Sequence, residues 1–80
     1  IRKHYKMYNQ IADIISRQLG VPLEMISEES EFQRDLEADS LDIIEILDEA
    51  EALFSVHVPE SDIDELTTVG KLCSYIESRL

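Results

Sequence analysis

The sequence has little of what stiffens, bends or cross-links a chain: two glycines, two prolines, one cysteine and no tryptophan in 80 residues. So few glycines and prolines, together with ordinary apolar content, argue against disorder and against a turn-rich β-sandwich. Nowhere is there an apolar run long enough to cross a bilayer. A single cysteine, Cys73, permits no internal disulfide and no zinc site of the usual spacing, which fits a reducing, cytoplasmic setting. The basic start, Ile1 to Lys6, is not followed by the apolar core of a signal peptide, so export is not expected. Because the chain begins at Ile1 and not at a methionine, there is room for a neighbouring domain.

What is present in excess is negative charge. The net charge is -11. From Glu24 to Glu65 there are sixteen acids and one base, Arg34, whereas the rest of the chain has six bases and two acids. An anionic surface of this kind disfavours nucleic acid and anionic membranes and speeds encounter with partners that present Lys and Arg. The bland alternative is that the acidity serves solubility alone. Eighty residues supply one small core but no enclosed active site with its own supporting shell, so function is expected on the surface of a single domain spanning 1–80.

Periodicity predicts an all-α fold, a small four-helix bundle of three main helices and one short one. Tyr8, Ile11, Ala12, Ile15 and Leu19 form a helical stripe flanked by Met7 and Ile14, giving a first helix over about Tyr5 to Leu19 that Gly20 and Pro22 terminate. A long connection follows, from Gly20 to Asp39. It is expected to lie on the core through Ile26, Phe32 and Leu36, with a helical turn near Leu23 to Ile26. Ser55-Val56-His57-Val58 alternates without a partner strand and reads as an extended crossing loop. Pro59 suits the first turn of a short, weakly held helix from Glu60 to about Glu65, anchored by Ile63 and Leu66. Thr67 or Thr68 caps a last helix carrying Val69, Leu72, Cys73, Ile76 and Leu80 on its core stripe.

The second helix, Leu41 to Phe54, organises the rest. Asp39 or Ser40 is its cap. At about 100° per residue, Ile43, Ile46, Leu47, Ala50, Leu53 and Phe54 share the core arc. A second arc groups Ser40, Leu41, Ile44, Glu45, Asp48, Glu51 and Ala52. Leaving Leu41 or Ile44 in water forgoes about 1.5–3 kcal/mol each, so two such residues among acids on one face point to a docking patch.

Ser40 lacks the company of a nucleophile. The only histidines are His4, at the chain's frayed start, and His57, in a loop, and no G-x-S-x-G elbow surrounds the serine. Read alone, Ser40 is a helix cap. Asp62-Ile63-Asp64-Glu65 hints at a calcium loop, but Thr67 stands where the turn requires glycine, so no dedicated metal site is expected. Cys73 lies on an apolar stripe and reads as a buried small hydrophobe; His57 reads as solvent-facing.

The run Asp35-Leu36-x-Ala38-Asp39-Ser40-Leu41-Asp42, followed by Phe54, Pro59 and Thr67-Thr68-Val69, resembles the acyl carrier proteins over about Ile11 to Ile76. The resemblance implies a non-catalytic carrier. Its Ser40 hydroxyl would be esterified with 4′-phosphopantetheine taken from coenzyme A by a phosphopantetheinyl transferase, and acyl groups would ride as thioesters on the arm. This accounts for a serine without a base, because the transferase supplies the catalysis. It also assigns docking of acyl-transferring and acyl-modifying enzymes with basic patches to Asp39, Leu41, Asp42, Ile44, Glu45 and Glu51, and lets a growing acyl chain fold back between the second and third helices.

Two departures from the family pattern bear on the subtype. Glu37 stands where the family usually has glycine, and Asp48 lies on the docking face where fatty-acid carriers generally have an apolar residue. Both make that face more polar and favour a restricted partner set, as in specialised lipid or polyketide synthesis, over general fatty-acid synthesis. The carrier is expected to be a monomer. A peptidyl or D-alanyl carrier shares the fold and the modified serine, and a helical interaction module with Ser40 as a plain cap is the reading from a different class.

Overall fold

The computed structural model describes residues 3–80, with side chains from Tyr5 onward. The expectation for His4 therefore concerns a side chain outside the described residues. Among the described residues there are four helices: α1 (Lys3–Leu19), α2 (Ser40–Phe54), α3 (Glu60–Ile63) and α4 (Val69–Glu77), with a 3-10 turn at Leu23–Met25 inside the long connection. The all-α architecture agrees with the periodicity.

α1 is the hub, packed against both α2 and α4. Contact on two sides needs a wider apolar arc than one stripe, and Met7 and Ile14 are accordingly buried with Ile11, Ala12 and Ile15. Tyr8 and Leu19, expected in the core, are only partly buried. Tyr8 stays at the margin because its hydroxyl needs a partner, which it finds in the Ile26 carbonyl at 2.9 Å. Gly20 ends the helix in the left-handed conformation at φ 69°, its amide donating to the Ser16 carbonyl at 2.9 Å.

The connection lies on the core as its apolar spacing predicts, with Ile26, Phe32 and Leu36 buried and Ala38 buried beside them. It is stitched to the start of α4. Phe32 N donates to Thr67 O at 3.1 Å, Val69 N to Ser30 O at 3.1 Å and Gly70 N to Glu28 O at 2.9 Å, around an isolated antiparallel bridge between Glu31 and Thr68. This crossing gives a reason for glycine at position 70, near the start of α4: a Cβ there would meet the Glu28 carbonyl at 3.0 Å.

Along α2, Ile46, Leu47 and Ala50 are buried and Ile43 and Phe54 partly so. Leu53 departs from the predicted core arc. It is 49% exposed, because it faces the polar flank of α1 at Gln10, Asp13 and Arg17. Ser55 then turns the chain at φ 57°, and Val56 and Val58 are buried on either side of an exposed His57, as expected of a crossing segment. Pro59 lies just outside α3, not in its first turn. The helix stops at Ile63, short of Glu65, with no residue of its own buried, while Leu66 anchors the segment from behind.

Thr68 caps α4 by accepting from Lys71 N at 3.1 Å. Val69, Leu72, Cys73 and Ile76 fill the core stripe. Leu80 does not join them. α4 ends at Glu77, where the Ser78 hydroxyl donates to the Tyr75 carbonyl, and Leu80 trails beyond it, 68% exposed.

Candidate functional site

The approach to Ser40 is set by alternation. Leu36 and Ala38 point into the core, Glu37 and Asp39 out of it, and Ala38 N donates to the Phe32 carbonyl at 2.8 Å. With the chain pinned on either side, Asp39 takes the cap position. Its carboxylate accepts from Asp42 N at 2.8 Å, and the Asp42 carboxylate returns the bond to Asp39 N at 3.1 Å. The cap is thus Asp39, and Ser40 is released from that duty as the first, exposed residue of α2.

Ser40 stands at the mouth of a cleft of about 490 Å³ between α2, α3 and the long connection. Phe32, Ile43, Ile44, Ile63 and Leu66 give it apolar walls, with Glu60 and Asp64 among the polar residues beside them. No described side chain pairs with the Ser40 hydroxyl as a base. His57 lies beyond the far end of the 15-residue α2, about 22 Å away along the axis at 1.5 Å per residue.

Four of the predicted docking residues are brought together along one side of α2. Leu41 is 62% and Ile44 47% exposed, and Glu45 and Asp48 are open to solvent beside them. Asp39 precedes the helix as its cap, and Asp42 lies off that side, toward the end of α1 and the 3-10 turn, their carboxylates holding the helix start. Glu51 departs as well. Its carboxylate turns to accept from Val58 N at 2.6 Å and lies 3.4 Å from His57 Nδ1, so it ties the end of α2 to the crossing segment. The wheel could place Glu51 on the face but not foresee a backbone amide seven residues on that needed an acceptor.

The remaining chemistry-bearing residues are absorbed by structure. Burial pushes the Cys73 thiol up to about 12, helped by the charges of Glu28 and Glu77, which makes it a poor nucleophile. Asp62, first in the calcium-like run, accepts from the Tyr75 hydroxyl at 2.7 Å. Among the described residues no three His, Cys, Asp or Glu side chains gather as metal ligands, and no described helix is long and apolar enough to cross a membrane. Glu37 sits at φ 56°, a left-handed conformation that glycine adopts freely and glutamate does not.

A phosphate ester fits at Ser40. The hydroxyl is accessible at the positive end of the α2 dipole, and the cleft beside it runs toward apolar walls.

Residues 9–76 match the family described as the phosphopantetheine attachment site. Among similar proteins, the acyl carrier protein of Lactobacillus johnsonii is 37% identical over 73 residues, 91% of each chain. That of Thermotoga maritima is 37% identical over 75 residues, covering 94% of this chain and 93% of its own. A solved structure of the acyl carrier protein from Enterococcus faecalis superposes with a TM-score of 0.82 at 25% identity, covering 99% of this chain and all of that one. With its fold and nearly its whole length accounted for in this way, the chain belongs to the acyl carrier protein family, whose prosthetic group is a covalently attached phosphopantetheine.

Proposed function

We propose that Ser40 is the attachment point and that residues 1–80 act as one monomeric, cytoplasmic carrier domain, modified and used by partner enzymes. The observation that carries this reading is the exposed Ser40 hydroxyl, uncapped and at the mouth of the α2/α3 cleft. A phosphopantetheinyl transferase moves phosphopantetheine from coenzyme A to Ser40 Oγ, releasing adenosine 3′,5′-bisphosphate. The terminal thiol of the arm then holds acyl groups as thioesters. The chain's own residues present, steer and shelter. Asp39, Asp42, Glu45 and Asp48 attract basic partners, Leu41 and Ile44 supply the burial that makes an encounter productive, and Glu51 holds the far end of the face in shape. Salt weakens such encounters, which suits a carrier that must leave each enzyme.

The apolar side of the cleft gives an acyl chain a place to withdraw from water. Glu37, where the family usually has glycine, together with Asp48 on the docking face, favours a carrier of specialised lipid or polyketide synthesis over one of general fatty-acid elongation. If so, Asp48→Met raises turnover by fatty-acid elongation enzymes; unchanged turnover counts against the restricted partner set.

The deciding experiment is intact mass after incubation with coenzyme A and a broad-specificity phosphopantetheinyl transferase. One phosphopantetheine is gained by the chain and none by Ser40→Ala. No gain with several transferases overturns the proposal.

A further inference from the structure

α2 begins between two depressions. Ser40 lines the cleft toward α3, and Asp42, two residues on, lines a second depression toward the end of α1 and the 3-10 turn. The second has apolar residues in Leu19, Val21 and Met25 and acids in Asp35, Glu37 and Asp42. No residue of the 3-10 turn is buried: Leu23 is 52% and Met25 68% exposed. Yet the turn is well held. Met25 N donates to Pro22 O and Ile26 N to Leu23 O, each at 3.0 Å, and the Tyr8 hydroxyl donates to Ile26 O. A bonded backbone therefore keeps two large apolar side chains in water, and one of them, Met25, lines the depression beside Asp35, Glu37 and Asp42.

Glu37 adds an independent observation. Glycine would hold φ 56° without a steric penalty, yet the chain carries a carboxylate there, and no described residue pairs with it. A strained residue kept where glycine would serve points to a use for its side chain. Asp35 differs, since it accepts from Glu31 N at 2.9 Å and lies 3.5 Å from Arg34 Nε.

An apolar floor rimmed by carboxylates complements an apolar side chain flanked by Lys or Arg. Among enzymes that act on a carrier, the transferase must bring its reacting centre to the Ser40 hydroxyl itself, whereas the others meet the far end of the arm. Its footprint must cover the residues on both sides of the first turn of α2. We infer that this depression is a docking subsite for the phosphopantetheinyl transferase, which seats in it an apolar side chain flanked by basic groups, and that Glu37 sets the strength of that contact. The inference rests on Ser40 being the attachment point.

The test uses the unmodified chain, coenzyme A and a broad-specificity phosphopantetheinyl transferase, with KM and kcat read from product mass. Glu37→Gly and Met25→Ser each raise KM about three- to tenfold with kcat unchanged, the signature of lost docking. Glu29→Gln, which removes one exposed charge elsewhere, keeps the original KM. Glu37→Gly also relieves strain and melts higher, so its raised KM does not come from unfolding. An unaltered KM in either Glu37→Gly or Met25→Ser overturns the subsite, as does an equal rise in Glu29→Gln, which marks a long-range field. Modification that persists in Ser40→Ala overturns the attachment reading instead.

Discussion

Asp39 and Asp42 each hold the other's backbone amide, at 2.8 and 3.1 Å, so the two acids nearest Ser40 are structural caps as well as charges. Replacing either by alanine mixes the two roles. Asp39→Asn separates them, because asparagine caps about as well as aspartate but carries no charge. Asp39→Ala is expected to lower stability by about 1 kcal/mol, the usual value of a cap, and Asp39→Asn to leave it nearly unchanged. Denaturant unfolding of both variants checks this. Equal losses in the two would mean that charge and not capping holds the helix start.

Glu37→Gly is expected to stabilise the fold by about 0.5–1 kcal/mol, since relief of a left-handed non-glycine residue exceeds the extra chain entropy that glycine brings to the unfolded state. Glu37→Ala, which keeps the strain, gives no such gain. Thermal melts of the two variants distinguish local backbone strain from simple removal of charge.

The third helix hangs on few contacts, and one of them is polar. The Tyr75 hydroxyl donates to Asp62 at 2.7 Å, and the Arg79 guanidinium lies 3.9 Å over the Tyr75 ring. That bond to Asp62 raises the Tyr75 pKa above its ordinary value. Tyr75→Phe keeps the ring and removes the bond. Amide exchange around Ile63 and Leu66 should then quicken while Ile11 and Ile15 in α1 stay protected. Uniform quickening throughout would show a global loss and no local latch.

Arg17 bridges α1 to α2 by donating to Glu49 at 2.6 Å, with Gln18 donating to the other oxygen at 3.2 Å. The Arg17 bond, more than Gln18, holds the Glu49 carboxyl below its ordinary 4.5, against the opposing effect of partial burial. A lowered carboxyl contributes stability that is full above the unfolded value and is lost as pH falls through the folded one. The melting temperatures of the chain and of Glu49→Gln should therefore differ at neutral pH and converge as pH drops below about 4.5. Relief of general anionic repulsion is shared by both chains and cancels in the comparison. Exposure of the pair keeps the difference small, and salt reduces it further.

Much of the fold was legible because it depends on near neighbours. The stop at Gly20, the Thr68 cap and the core stripes of α2 and α4 follow from local sterics and from a period of 3.6 residues. Where a residue had to find a distant partner, the pattern failed. Tyr8 left the core to reach the Ile26 carbonyl, Leu53 met the polar side of α1, and Glu51 turned from the docking face to the Val58 amide. The walls of the cleft come from three segments far apart in the chain, so no single helical wheel could have assembled them.

At the central serine the same division holds. That Ser40 has no histidine near it in the chain, that acids and two stranded apolar residues accompany it, and that a helix begins there could all be read from residue type and spacing. That Asp39 and not Ser40 is the cap, that the hydroxyl opens beside a cleft, and that Glu37 occupies a backbone conformation suited to glycine emerge only once the chain is folded. Those outcomes depend on where Leu36 and Ala38 are anchored, and that anchoring is set by core packing and by a hydrogen bond to Phe32, not by the local chain.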